Sequence, residues 1–137
     1  MGIRHAQIGE VAERTGLSLR TIRYYEEMGL VEPSARTAGG FRLYSDTDVS
    51  RLQLIKRMKP LDFSLEEMRD VLGILDSFDS AEGEEGAAQA VARLGTYHDA
   101  ALARVAALQQ QLAVAEGFAA DLRREITRQK KLVSRSR

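Results

Sequence analysis

The sequence predicts a mainly α-helical chain in which four short helices and one small β-hairpin precede a single long helix. Three observations carry this expectation. Apolar residues recur at helical spacing in short runs that stop at Gly16, Gly29 and Pro60. A Gly39-Gly40 pair precedes the alternating run Phe41-Arg42-Leu43-Tyr44. From Val91 to Val133 an apolar heptad repeats without a glycine or proline at its seam.

The first helix is marked by Ile8, Val11 and Ala12 and ends at Gly16, a residue suited to the left-handed turn after a helix. Ser18 is placed to cap the second, in which Ile22 and Tyr25 share an inward face before Gly29. Two short helices joined at Thr15-Gly16-Leu17 have the form of a helix-turn-helix. Pro33 and the run Thr37-Ala38-Gly39-Gly40 then predict a hairpin, which makes the arrangement a winged helix-turn-helix. Ser45 with Asp48, and Ser64 with Glu67, are capping-box pairs that open a third and a fourth helix. The third carries Val49, Leu52 and Ile55 as far as Pro60; the fourth runs to about Leu75.

Asp76 to Gly86 reads DSFDSAEGEEG, with five acids and little to bury, and predicts a loop. The heptad after it places Val91, His98, Val105, Leu112, Ala119, Ile126 and Val133 at first positions. Leu94, Ala101, Leu108, Ala115, Leu122 and Gln129 take the fourth positions. Eleven of these thirteen are apolar, so the helix presents a stripe about 60 Å long that it cannot bury by itself. Homodimerisation through Val91, Leu94, Val105, Leu108, Leu112, Leu122 and Ile126 is the expectation. The chain therefore divides into a head over residues 1–75, an acidic linker over 76–90, a dimerisation helix over 91–133 and a basic tail over 134–137.

The net charge of zero conceals an uneven distribution. Residues 1–60 hold ten Lys and Arg against seven Asp and Glu, residues 61–90 nine acids against one base, and residues 91–137 nine bases against four acids. Cysteine is absent, which excludes disulfides, thiolate metal sites and thiol redox chemistry within these residues. His5 and His98 are far apart, and no metal or cofactor is expected. No apolar run approaches a membrane span, and Met1 to Gln7 lack a secretory segment, so a cytoplasmic protein is expected. Neither a nucleophile paired with a base nor a phosphate-binding glycine loop occurs, which points away from an enzyme.

The densest functional stretch is Ser18-Leu19-Arg20-Thr21-Ile22-Arg23-Tyr24-Tyr25. Arg20, Thr21, Arg23 and Tyr24 supply guanidinium and hydroxyl donors on the outward side of the second helix, as base edges and phosphates in a major groove require. Arg36 and Arg42 flank the glycine turn, where side chains can reach a phosphate or an adjacent groove.

The stretch RTIRYYEEMGLVEP, followed by RTAGGFRLYSDTDVSRLQLIKRMKPLDFSLEEM, resembles the amino-terminal domain of the MerR family of transcription regulators over about residues 6–75. The resemblance implies a homodimer on a pseudo-palindromic promoter element of double-stranded DNA, which it bends and underwinds; RNA polymerase is a further candidate partner. It implies a recognition helix from Ser18 to Met28, a first wing with Arg36, Phe41, Arg42 and Tyr44, and a second wing with Arg57 and Lys59. It also favours antiparallel pairing of the long helices. One position departs from the family: Asp62 stands where a glycine is common, a residue that tolerates unusual backbone angles but adds negative charge near DNA. Members often carry metal-binding cysteines or a further ligand domain, and neither is present here, so the sequence names no small-molecule effector. His98 and Gln129 at seam positions are read as register-setting polar residues, or alternatively as a pH sensor or ligand contact. Arg123, Arg124, Arg128, Lys130, Lys131, Arg135 and Arg137 form either a solvated face or a contact for DNA or polymerase. A coiled-coil interaction module without specific DNA readout is the competing reading of the whole chain.

Overall fold

A computed structural model describes residues 5–80 and 83–136. They form two units, one ending at Tyr97 and one beginning at His98. In the first, β1 (His5–Gln7) leads into α1 (Ile8–Thr15) and α2 (Leu19–Glu27). Next come β2 (Ala35–Arg36), β3 (Arg42–Ser45), α3 (Asp46–Met58) and α4 (Leu65–Asp79). The long helix α5 (Gly83–Arg135) begins in this unit and makes up the second.

The punctuation read from the sequence is what closes these helices. Gly16 adopts φ 73° after α1, and its amide bonds to the Ala12 carbonyl. The Ser18 hydroxyl accepts from the Thr21 amide at 3.0 Å to cap α2. Both capping boxes are formed, Ser45 with Asp48 on α3 and Ser64 with Glu67 on α4, each closing two backbone donors. After α3 a single 3-10 turn, Lys59–Leu61, ends at Asp62 with φ 63°. Asp62 thus takes the left-handed conformation for which glycine is the usual residue, and which aspartate enters at modest cost.

The sheet has three strands in the order β1-β3-β2, all antiparallel. The sequence predicts only the hairpin; β1 is an addition, pairing His5 to Ser45 and Gln7 to Leu43. Three residues with one apolar side chain carry no local signal for a strand, and it is the free edge of β3 that recruits them. The core lies between this sheet and the helices, with Val11, Ile22, Leu30, Val31, Tyr44, Leu52 and Ile55 almost wholly buried. Ile22 and Tyr25 face inward as their spacing predicts.

The region 76–90 requires a correction. The fourth helix does not stop near Leu75 but continues to Asp79, and the next begins at Gly83, so most of the expected acidic linker is helical. Glu84 and Glu85 fall in the first turn of α5, where negative charge is favourable. Ala87, Ala88 and Ala90 are strong helix formers. The head likewise extends past residue 75, because α5 packs back onto it. Ala90 is buried, the Phe63 and Tyr97 rings lie 5.9 Å apart, and Tyr97 donates to Asp70 Oδ2 at 2.5 Å while Arg93 pairs with the other oxygen. This carboxylate lies below its ordinary range, held there by the Tyr97 bond and by Arg93, and the Tyr97 phenol is pushed up to about 12 by the same bond.

In the second unit α5 continues from His98 to Arg135 with its apolar side chains open. Val105, Leu108, Leu112, Leu122, Ile126 and Val133 are all exposed, between 38% and 59%. Off the seam, Val114 and Phe118 are exposed as well. Leu94, half-buried, and Val91, exposed, belong to the first unit. His98 is solvent-facing with Nδ1 3.4 Å from Asp99. The expected tail residue Arg137 lies outside the described residues, as do residues 1–4 and the linker positions 81–82.

Candidate nucleic-acid interface

Helix α2 exists to carry two faces. Its inward residues Ile22 and Tyr25 lock it into the core, which holds the opposite side rigid. On that side Arg20, Arg23 and Tyr24 are exposed, and among the described residues neither arginine has a hydrogen-bond or ion-pair partner. Ser18 and Thr21 stand at the amino end with their hydroxyls 2.7 Å apart, each occupied first by the other and by the cap. The Tyr24 ring rests against Tyr25, centroids 5.8 Å apart, which limits the directions its hydroxyl can take.

Beside α2 runs a groove of about 420 Å³ lined by Arg20, Thr21, Tyr24, Lys59, Phe63 and Met68, among others. It brings Lys59, from the turn after α3, next to the outward face of the helix. Arg57, two residues earlier, instead lines a separate groove of about 710 Å³ with Arg14, Lys56 and Pro60. The two cations expected to share a second wing therefore front different grooves.

The hairpin forms the first wing. Its turn is tied by Thr37, whose amide donates to the Phe41 carbonyl at 2.9 Å and whose hydroxyl accepts from the Phe41 amide at 3.1 Å. Phe41 is 67% exposed at the tip, an apolar side chain with no place in the core. Arg36 donates through Nη1 to the Gly40 carbonyl at 3.0 Å.

Two residues expected on this wing behave differently. Tyr44 is fully buried, its hydroxyl donating to Glu26 Oε2 at 3.1 Å, so it does not face a ligand. Burial and the nearby Glu26 carboxylate push its phenol up to about 12. Arg42 is half-buried and bonded through Nε to Glu26 Oε1 at 2.9 Å, and Glu26 raises its affinity for its proton further. Sequence reasoning missed Glu26 altogether. The signal available was its position one turn after Ile22, on the side of α2 that turns toward the hairpin.

A capped helix with two unpaired arginines, set beside a hairpin wing and a cation-bearing turn, defines a winged helix-turn-helix head of the kind that reads double-stranded DNA. Comparison with known proteins agrees. The family of MerR HTH regulatory proteins matches residues 6–73, and the MerR DNA-binding family matches residues 49–132. The mercuric resistance operon regulatory protein of Bacillus cereus is 47% identical over 70 residues, which cover 51% of this chain and 53% of that one. Among solved structures, the transcription regulator PbrR691 of Ralstonia metallidurans, crystallised with lead(II), is 32% identical with a TM-score of 0.54, covering 90% of this chain and 86% of that one. A MerR family transcriptional regulator of Listeria monocytogenes is 27% identical with a TM-score of 0.65, covering 81% and 80%. The chain belongs to the MerR family of transcription regulators. It spans about half the length of the curated relatives it matches.

Proposed function

We propose that this chain is a sequence-specific regulator that binds a pseudo-palindromic promoter element of double-stranded DNA as a homodimer and distorts it. The observation that carries the reading is the outward face of α2, where Arg20 and Arg23 stand unpaired on a helix otherwise fixed by burial. Cations without partners on a helix fixed by burial are suited to base edges, because their donors are not already engaged and the helix that carries them is held in place. Lys59, fronting the same groove, is suited to a phosphate.

Dimerisation is supported by the open apolar seam from Val105 to Val133, which a second copy would cover. Charge favours antiparallel helices. The start of α5 carries Glu84 and Glu85, and its far end carries Arg123, Arg124, Arg128, Lys130 and Lys131, so opposed directions bring unlike charges together. RNA polymerase is the protein partner that a promoter setting brings within reach, and the setting is cytoplasmic. The mercury response named for the Bacillus cereus relative is not carried over, since these 137 residues supply no thiolate.

The test is affinity across a panel of mismatched operators at several salt concentrations. Arg20→Ala or Arg23→Ala should relax the preference at particular base pairs, each bidentate contact contributing about 1–3 kcal/mol of discrimination. Lys59→Ala should weaken all sequences alike and lower the salt dependence by about one unit. If both α2 variants keep the full mismatch penalty, this helix does not read the sequence. An interaction module without DNA readout would show no salt-dependent selection at all.

A further inference from the structure

Glu26 has no part in reading DNA as described so far, and an acid at the end of a duplex-reading helix is a cost, since it repels phosphate. Its surroundings give it a different role. Arg36 and Arg42 stand directly opposite one another across the β2–β3 pair, an arrangement in which like charges repel. The Glu26 carboxylate reaches both. Arg42 Nε lies 2.9 Å from Oε1 and 2.7 Å from Oε2, and Arg36 Nη2 is 3.9 Å from Oε1. Tyr44 holds the carboxylate from below at 3.1 Å, from a fully buried position.

Exposure gives the arrangement a direction. The Glu26 side chain is 14% exposed and that of Arg42 is 35% exposed, so the carboxylate sits deeper and the guanidinium lies above it. A guanidinium carries five donors in one rigid plane. Because Arg42 meets Glu26 through Nε, that pair does not use its terminal amino groups, and the carboxylate anchors a half-buried guanidinium that has donors to spare for an incoming anion.

We propose that Glu26 is a positioning residue for phosphate capture by the first wing: it offsets the repulsion between the cross-strand arginines and fixes the plane of Arg42 so that its terminal amino groups meet a DNA phosphate. The inference rests on the DNA-binding reading above. It links the wing to the recognition helix, since the residue that orients the phosphate clamp is itself a residue of α2. The hairpin therefore holds its register with the bases that Arg20 and Arg23 face.

The sign of one substitution separates this role from simple electrostatics. Glu26→Gln removes a negative charge near DNA, which by itself tightens binding; loss of positioning weakens it. Glu26→Asp keeps the charge but shortens its reach by one methylene. The probe is a duplex selected by the wild-type protein from a randomised pool, with the melting midpoint of every variant recorded. Both variants should bind roughly tenfold more weakly, with a salt dependence lower by about one unit, and neither should lose more in an Arg42→Ala background. A role confined to stability would track the melting midpoint and persist in that background. Tighter binding by Glu26→Gln, an unchanged salt dependence, or a loss undiminished by Arg42→Ala each overturns the proposal. Should Glu26→Gln fail to fold, the Asp variant decides by the same criteria. A wild-type protein that selects no duplex removes the DNA-binding reading itself, an outcome distinct from all of these.

Discussion

If two copies pair through the α5 seam as proposed, replacing Leu108 and Leu112 together by Asp should leave monomers. In the single chain these side chains are 38% and 59% exposed, so about half of each remains to be covered by a second copy. Full burial of a leucine stabilises by about 1.5–3 kcal/mol, which makes each worth about 1 kcal/mol here and the four positions of a dimer about 4 kcal/mol. Four carboxylates placed in the same seam add repulsion and desolvation to that loss. The dissociation constant should therefore rise at least about a thousandfold. Sedimentation velocity over a concentration series reads the association directly. Far-UV circular dichroism supplies a second readout, since the part of α5 beyond Tyr97 has its apolar stripe exposed and should fray without a partner. A variant that still sediments as a dimer with unchanged helicity would show that this stripe is not the dimer seam.

Three further outcomes are expected. Ile22→Ala, at a side chain with no exposure, should destabilise the head by about 2–5 kcal/mol in urea unfolding. A smaller cost would mean that α2 is not anchored by this residue. Stability should hold from neutral pH to about 10 and then fall as the pH rises toward about 12. Burial beside Glu26 pushes the Tyr44 phenol, and the bond to Asp70 the Tyr97 phenol, up to about 12 in the folded chain, so their contribution is complete below the unfolded pKa and lost through the folded one. Tyr97→Phe should flatten part of that fall; an unchanged alkaline profile would mean that the bond to Asp70 does not hold α5 to the head. Asp70, whose pKa is depressed, acts in the opposite sense, its contribution being lost as the pH falls below the carboxylate range. With no cysteine in the sequence, peroxide and thiophilic metal ions should leave DNA affinity unchanged in gel-shift assays once methionine oxidation is excluded. Reproducible release by such a metal would reveal a site built from other ligands.

What the sequence by itself determined is what depends on neighbours a few residues away. Ser18, Ser45 and Ser64 cap their helices, Gly16 and Asp62 take the left-handed turns, and Ile22 with Tyr25 marks the inward side of α2. Each of these rests on a contact within about one helical turn or on the conformational freedom of a single residue. The heptad was legible for the same reason, because its period is repeated many times over.

Only the tertiary structure decided which side of a short strand is buried and which charges are already paired. Alternation places Arg42 and Tyr44 on one face of β3 but does not say whether that face meets water or core; the core takes Tyr44, and Glu26 takes Arg42. The bonds from Arg42 and Tyr44 to Glu26, and from Tyr97 to Asp70, join residues 16, 18 and 27 positions apart. No local pattern encodes such distances. The acidic stretch from Asp76 to Gly86 reads as a loop by composition, yet residues 76–79 close one helix and residues 83–86 open the next, whose Ala90 and Tyr97 pack on the head.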